Sequence, residues 1–319
     1  MQLIDLMSSY IRNLKREQQL SPRSIILYES DLRLFSHYVG ECKPISEITH
    51  HVVERYLRKL IEVDRVTDTT LSRKLCVIRS FFRFLENEDF IGRSPVTRLP
   101  IKISIKRKSP PVISSEEITK FFRTIESERL RLQKLLIRCR HRGDREWLLV
   151  YQLLCNLRNT VLFSLVYETG IKLRDLLIIP SEYVELRRRS CVFHVQHNSL
   201  RGYVITNSET VKLIKQYQKL VSSCGCKSPY FFFNRNMGHL SLVMMQKNFK
   251  KYLKQAGINR KLTPTSLRHA YAVNLFKNNT NIPVIRETLG YKTFEGLLIY
   301  QDYFNTSMGN TRKKTHWKK

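Results

Sequence analysis

A proline-rich and wholly basic stretch at residues 92–111, GRSPVTRLPIKISIKRKSPP, does most to limit what this chain can fold into. Its four prolines work against helix and central strand alike, and six lysines or arginines without one acid keep it solvated. It predicts an extended basic linker at 99–111 between two separately packed domains, 1–98 and 112–319. The 319 residues suffice for two domains of ordinary size, and a hydrophobic share of 42% supplies a core for each.

Ahead of the linker the apolar spacing is helical. Leu3, Leu6, Met7, Tyr10, Ile11 and Leu14 mark one helix. Ser21-Pro22 reads as an N-cap and first-turn proline of a second, which ends at Gly40. A third is expected over 47–62, and a fourth from Thr67-Asp68 that buries Leu71, Leu75, Ile78, Phe82 and Leu85. Four short-looped amphipathic helices predict a small bundle. Its outer faces carry Arg23, Arg73, Lys74 and Arg79 with few compensating acids, which predicts a DNA-facing side, continued by Lys102, Lys106, Arg107 and Lys108 of the linker.

Beyond the linker, Ser114 and Glu117 form a capping-box pattern that opens a helix. Residues 126–146 have helical spacing and dense positive charge, which fits either a DNA-contacting or a solvated helix. The apolar run from Trp147 to Leu165 predicts a buried helix. After Pro180 the period changes to that of strands, at 183–186, 191–195 and 203–205, with His197–Gly202 as the loop between the last two. Helices are expected again at 208–221 and 241–256. The fold class is therefore mainly α with a small antiparallel sheet.

Charge narrows the partner. Against 56 Lys+Arg stand 27 Asp+Glu, a formal excess of +29, which calls for a polyanion. The charge is spread over both halves rather than gathered on one amphipathic helix beside a lipidation signal, so nucleic acid is expected and a membrane is not. With no run of eighteen apolar residues and no signal-peptide profile, a cytoplasmic protein is expected. Of seven scattered cysteines only Cys224 and Cys226 are close-spaced, so no metal site is expected.

The chemistry concentrates in residues 262–300, LTPTSLRHAYAVNLFKNNTNIPVIRETLGYKTFEGLLIY. Thr263-Pro264 is expected to cap a helix on which Thr265 and Arg268 share a face. The next helix stops at Leu289-Gly290, where glycine supplies a left-handed turn. Tyr300 follows Tyr291 by nine residues, on a helix that can begin at Thr293. A tyrosine hydroxyl facing a guanidinium suits attack on a phosphodiester, because the cation neutralises the non-bridging oxygens as charge builds.

This stretch resembles the C-terminal signature of the tyrosine recombinases, the phage-integrase and Xer-like family, in Arg268-His269, Leu289-Gly290 and Tyr300. Glu168-Thr169-Gly170-Ile171-Lys172 resembles the motif holding the family's first arginine, and the strand pair around His197–Arg201 resembles its lysine-bearing hairpin. The N-terminal bundle is similar to the family's core-binding domain, followed by a mixed α/β catalytic domain. The resemblance implies site-specific DNA strand exchange on phage, plasmid or transposon DNA through a 3′-phosphotyrosyl link, with no cofactor. Tyr300 is then the nucleophile and Arg268 a phosphate-activating group. Lys172 stands in place of the first arginine, Thr265 in place of a histidine, and Tyr291 in place of histidine or tryptophan. His197 or Arg201 lies near the hairpin lysine position, and Asp175 takes the supporting acid's place. The implied partner is duplex DNA with paired half-sites, bound by a homo-oligomer, a tetramer, with the chain after Tyr303 packing on a neighbouring subunit, whereas composition alone favours a disordered basic tail over 305–319. These departures leave a second reading, a weak or inactive paralogue that binds recombination sites as an architectural or regulatory protein.

Overall fold

The computed structural model describes residues 2–17, 20–97, 109–139, 146–197 and 199–303, without the side chains at 139, 196, 197 and 199–201. The chain divides into two compact units, Met1–Lys106 and Arg107–Lys319. Linker residues Lys102, Lys106, Arg107 and Lys108, and the tail after Tyr303, fall outside the described residues.

The first unit is a bundle of α1 (Leu3–Glu17), α2 (Pro22–Val39), α3 (His50–Glu62) and α4 (Asp68–Asn87). Ser21 caps α2 by accepting a hydrogen bond from the Ser24 amide, with Pro22 in the first turn, and Thr67 caps α4 through the Thr70 amide. The start expected for the third helix is a separate 3-10 turn, Ile45–Glu47, because Thr49 resets the backbone to an extended conformation before α3. Tyr10, Phe35, Tyr56, Phe81 and Phe82 pack the core edge-to-face and tilted.

One charge in this bundle departs from expectation. Lys74 is only 6% exposed, and its Nζ lies 2.8 Å from the carboxylate of Asp31, itself 5% exposed. Arg73 pairs with the same carboxylate. A buried acid on α2 needs compensation, and α4 supplies it twice, so Lys74 belongs to the core and not to the outer face. Arg23 and Arg79 are exposed as expected.

The second unit is built on α6 (Glu146–Thr169), whose side chains are buried nearly all round. That helix is long and apolar enough to cross a membrane by composition, but most of its apolar stretch lies inside this unit. Packed on it are α5 (Ser115–Cys139), α8 (Ser208–Ser223) and α10 (Thr265–Lys277). The capping box forms at α5 as expected: the Ser114 amide donates to Glu117 at 2.8 Å and the Glu117 amide to Ser114 Oγ at 3.2 Å. Phe121 of α5, Phe163 of α6 and Phe249 of α9 (Leu242–Gln255) meet at centroid distances of 4.9–5.6 Å. The stretch from residue 126 continues α5 to Cys139.

A three-stranded antiparallel sheet, β1 (Val184–Leu186), β2 (Cys191–His197) and β3 (Ser199–Ile205), in that order, covers one side. Its hairpin corrects the sequence reading. Pairing runs from Cys191↔Ile205 to His197↔Ser199, so His197 and Arg201 have strand backbones rather than loop ones. The apolar alternation ends at Val195, but ladder hydrogen bonds need no apolar side chain and carry the strands further.

Candidate active site

Four backbone turns set the site. At the end of α6, Thr169 Oγ1 donates to the Leu165 carbonyl at 2.6 Å and accepts from the Ile171 amide at 3.2 Å. Gly170 then turns the chain at φ +67°, and Lys172 begins α7 (Leu173–Leu177). Glu168, just before, accepts from Thr210 at 2.6 Å and Asn207 at 3.1 Å, which ties this corner to α8. The second turn opens α10. Pro264 is its N-cap without a side-chain bond, and the Thr263 amide donates to Ser266 Oγ at 3.3 Å, so capping here reverses the direction expected. The third follows α11 (Ile282–Thr288), with Gly290 at φ +64°. The fourth is the 3-10 segment Phe294–Tyr300, which brings Tyr300 back into a small core with Phe276, Ile285 and Leu289.

Arg268 joins these turns. It is 5% exposed, and its two terminal nitrogens donate to the carbonyls of Gly170 and Leu289. The two glycine corners, far apart in the chain, thus face one guanidinium. Its charged plane lies 5.4 Å from the Tyr291 ring centroid. Gly296 leaves room for that ring, since a Cβ there would stand 2.4 Å from Tyr291 Cδ1.

Lys172, Arg174, Asp175, Thr265, Arg268 and Tyr291 line one cleft of about 430 Å³. Burial lowers the Lys172 pKa, and Arg268 lowers it further, while Asp175 opposes the shift. Three cations beside one carboxylate make the cleft an anion site in its electrostatics. Thr265 is exposed at its edge, on the same helix as Arg268.

Tyr300 is not among the lining residues; it has no exposed surface. Its hydroxyl lies 2.7 Å from His269 Nδ1. Burial pushes its pKa up and Tyr291 adds to that, while Arg268 acts the other way. His269 is pushed down to about 4, by burial first and Arg268 second. The two groups therefore meet as a neutral phenol and a neutral imidazole at pH 7. The segment following Tyr300 is held to the entry of this unit: Tyr303 donates to the Pro110 carbonyl at 3.2 Å, and Ser109 to Asp302.

Of the residues singled out in the sequence, Lys172, Asp175, Thr265, Arg268 and Tyr291 share the cleft, and Tyr300 adjoins Tyr291. The side chains of His197 and Arg201 lie outside the described residues. His269 enters the sequence reading only as part of a motif; its one legible signal is adjacency to Arg268.

The profile of the phage integrase N-terminal SAM-like domain matches residues 7–89, and that of the phage integrase family matches residues 146–306. The chain is 26% identical over 302 residues to a tyrosine recombinase XerC of Halalkalibacterium halodurans, covering 92% of this chain and 91% of that one. It is equally 26% identical to a tyrosine recombinase of Thermosipho africanus, over 93% and 94% of the two chains. Among solved structures, the XerH site-specific recombinase bound to its difH substrate superposes with a TM-score of 0.72 at 16% identity, over 94% of this chain and 82% of that one. A lambda integrase dimer bound to a core site gives 0.62 at 16%, over 92% and 96%. These structures share the fold.

Proposed function

The chain belongs to the phage integrase family, and from that membership we propose that it is a site-specific DNA recombinase that cuts and rejoins strands through a phosphotyrosine at Tyr300. The observation that carries this reading is the convergence of Lys172, Arg268 and Tyr291 on one cleft, with the Tyr300 hydroxyl adjoining it. A scissile phosphate in the cleft places its non-bridging oxygens between the Lys172 ammonium and the Arg268 guanidinium. Both carbonyls that hold Arg268 are backbone, so the guanidinium is oriented before substrate arrives and needs no reorganisation as charge develops. Tyr291, against that guanidinium, closes one side, and Asp175 beside Lys172 steadies the ammonium.

Attack by the tyrosine oxygen displaces the 5′-oxygen and leaves the 3′-phosphate on the enzyme. The ester keeps the bond energy, so a 5′-hydroxyl from the partner strand reverses the step. The first unit grips the duplex with Arg23 and Arg79 and the basic linker, and the second delivers the cleft. Protomers assemble on paired half-sites, four to a synapse, in the cytoplasm. The tight pairing of the two turns on Arg268, with tyrosine retained at 300, favours this over an inactive DNA-binding paralogue.

The test is a nicked suicide duplex, from which the cleaved fragment diffuses away and traps the adduct. The wild-type chain forms a covalent complex and Tyr300→Phe does not. A chain that binds its site tightly and never forms the adduct would overturn the reading.

A further inference from the structure

Thr265 stands on α10 where the family resemblance expects a histidine, and a threonine hydroxyl takes up no proton near neutral pH. One helical turn further on, at i+4, stands His269. Its Nδ1 is 2.7 Å from the Tyr300 hydroxyl, and the two rings meet edge-on with centroids 5.7 Å apart. We propose that His269 is a catalytic residue, the base that accepts the Tyr300 proton during attack and the acid that returns it during religation. The inference rests on the reading of Tyr300 as nucleophile.

The surroundings suit the role. With its proton on Nε2, the neutral ring offers Nδ1 as acceptor to the phenol. Burial, and then the Arg268 charge, hold its pKa near 4. The charged or titratable groups acting on the pair are Arg268, on the same helix, and Tyr291, from the turn after α11. A bound phosphodiester sets a negative charge against Arg268 and offsets the repulsion that opposes imidazolium. The base is thus weak in the free protein and strengthens when substrate fills the cleft.

The step balances. The Tyr300 O–H bond breaks and its proton passes to Nδ1. The phenolate oxygen forms the bond to phosphorus, the bond from phosphorus to the 5′-oxygen breaks, and that oxygen leaves as a hydroxyl with a proton from solvent. In the reverse direction a 5′-hydroxyl gives its proton to solvent as its oxygen bonds to phosphorus, the bond from phosphorus to the Tyr300 oxygen breaks, and that oxygen recovers its proton from the imidazolium.

The experiment compares single-turnover adduct formation by the full chain and His269→Asn on the suicide duplex, across pH 5–9. Asparagine keeps an oxygen acceptor near the Nδ1 position and takes up no proton. The expected result is a fall of about 10²-fold or more at neutral pH, with loss of the acidic limb of the profile and unchanged duplex affinity. A substrate whose leaving 5′-oxygen is replaced by sulfur, which departs without protonation, should leave that deficit in place. Three results overturn the proposal: wild-type rate and profile in the variant, faster cleavage, or full rescue by the sulfur substrate, which moves His269 to the leaving group. Absence of any wild-type adduct defeats the recombinase reading itself, and the proposal with it. Should His269→Asn lose its melting transition, His269→Gln is read against the same outcomes.

Discussion

Replacing Gly170 by alanine strikes the point where fold and site meet. The residue sits at φ +67°, and a Cβ there would come 2.6 Å from Tyr271 Cδ1 and 2.9 Å from Leu289 Cδ2. Left-handed backbone costs an alanine about 1–2 kcal/mol, and forcing two packed side chains aside adds about 1–3 kcal/mol. Gly257, at φ +72°, isolates the backbone contribution, because a Cβ there would meet nothing within 4 Å. Gly257→Ala should therefore cost about 1–2 kcal/mol, and Gly170→Ala about 2–5 kcal/mol. For a unit of this size, each kcal/mol lowers Tm by roughly 2–4 °C. Differential scanning calorimetry should then separate the two variants by several degrees in the transition of the larger unit. Gly170→Ala should also slow adduct formation, because the displaced carbonyl is one of the two that aim Arg268. Equal melting of the two variants, or wild-type cleavage by Gly170→Ala, would refute the reasoning.

Other consequences are open to direct measurement. Asp31→Ala strands the buried Lys74 ammonium, at a cost of about 3–5 kcal/mol in urea unfolding of the first unit; adding Lys74→Met should recover most of the loss, and an innocuous Asp31→Ala would contradict the buried pair. Because His269 titrates near 4 when folded and at 6.5 when not, the unfolded chain binds the extra proton. The stability it contributes is complete above pH 6.5 and drains away as pH falls toward 4, by about 2–3 kcal/mol, a decline that His269→Asn should flatten in pH-dependent melts. With a formal charge of +29, duplex affinity should drop roughly 10³-fold or more between 50 and 200 mM salt; a flat titration would count against a backbone-gripping mode.

The helices and the Gly290 corner of the site were legible because apolar periodicity, caps and glycine turns are local signals. Ser21-Pro22, Ser114 with Glu117, and Gly290 each declared itself within a few residues. What stayed hidden depends on distant partners. Lys74 looks like any outward lysine until Asp31, on another helix, is found beneath it. Nothing near Arg268 in the chain announces that it donates to Gly170 and Leu289, since backbone carbonyls carry no sequence signature. His269 follows an arginine on an apolar helix, and only the return of the 3-10 segment brings a hydroxyl to it. The hairpin was cut short for a related reason: strand pairing past Val195 rests on the backbone.

Peptide mapping of the trapped adduct tests the proposed chemistry most directly. After digestion of protein and DNA, mass spectrometry of the two peptides that meet at Lys292, with Tyr291 on the first and Tyr300 and Tyr303 on the second, reads which tyrosine carries the nucleotide. The expected mass shift lies on Tyr300, is absent in Tyr300→Phe and persists in Tyr303→Phe. A nucleotide on Tyr303, on Tyr291 or on no tyrosine at all would contradict the assignment of Tyr300 as nucleophile.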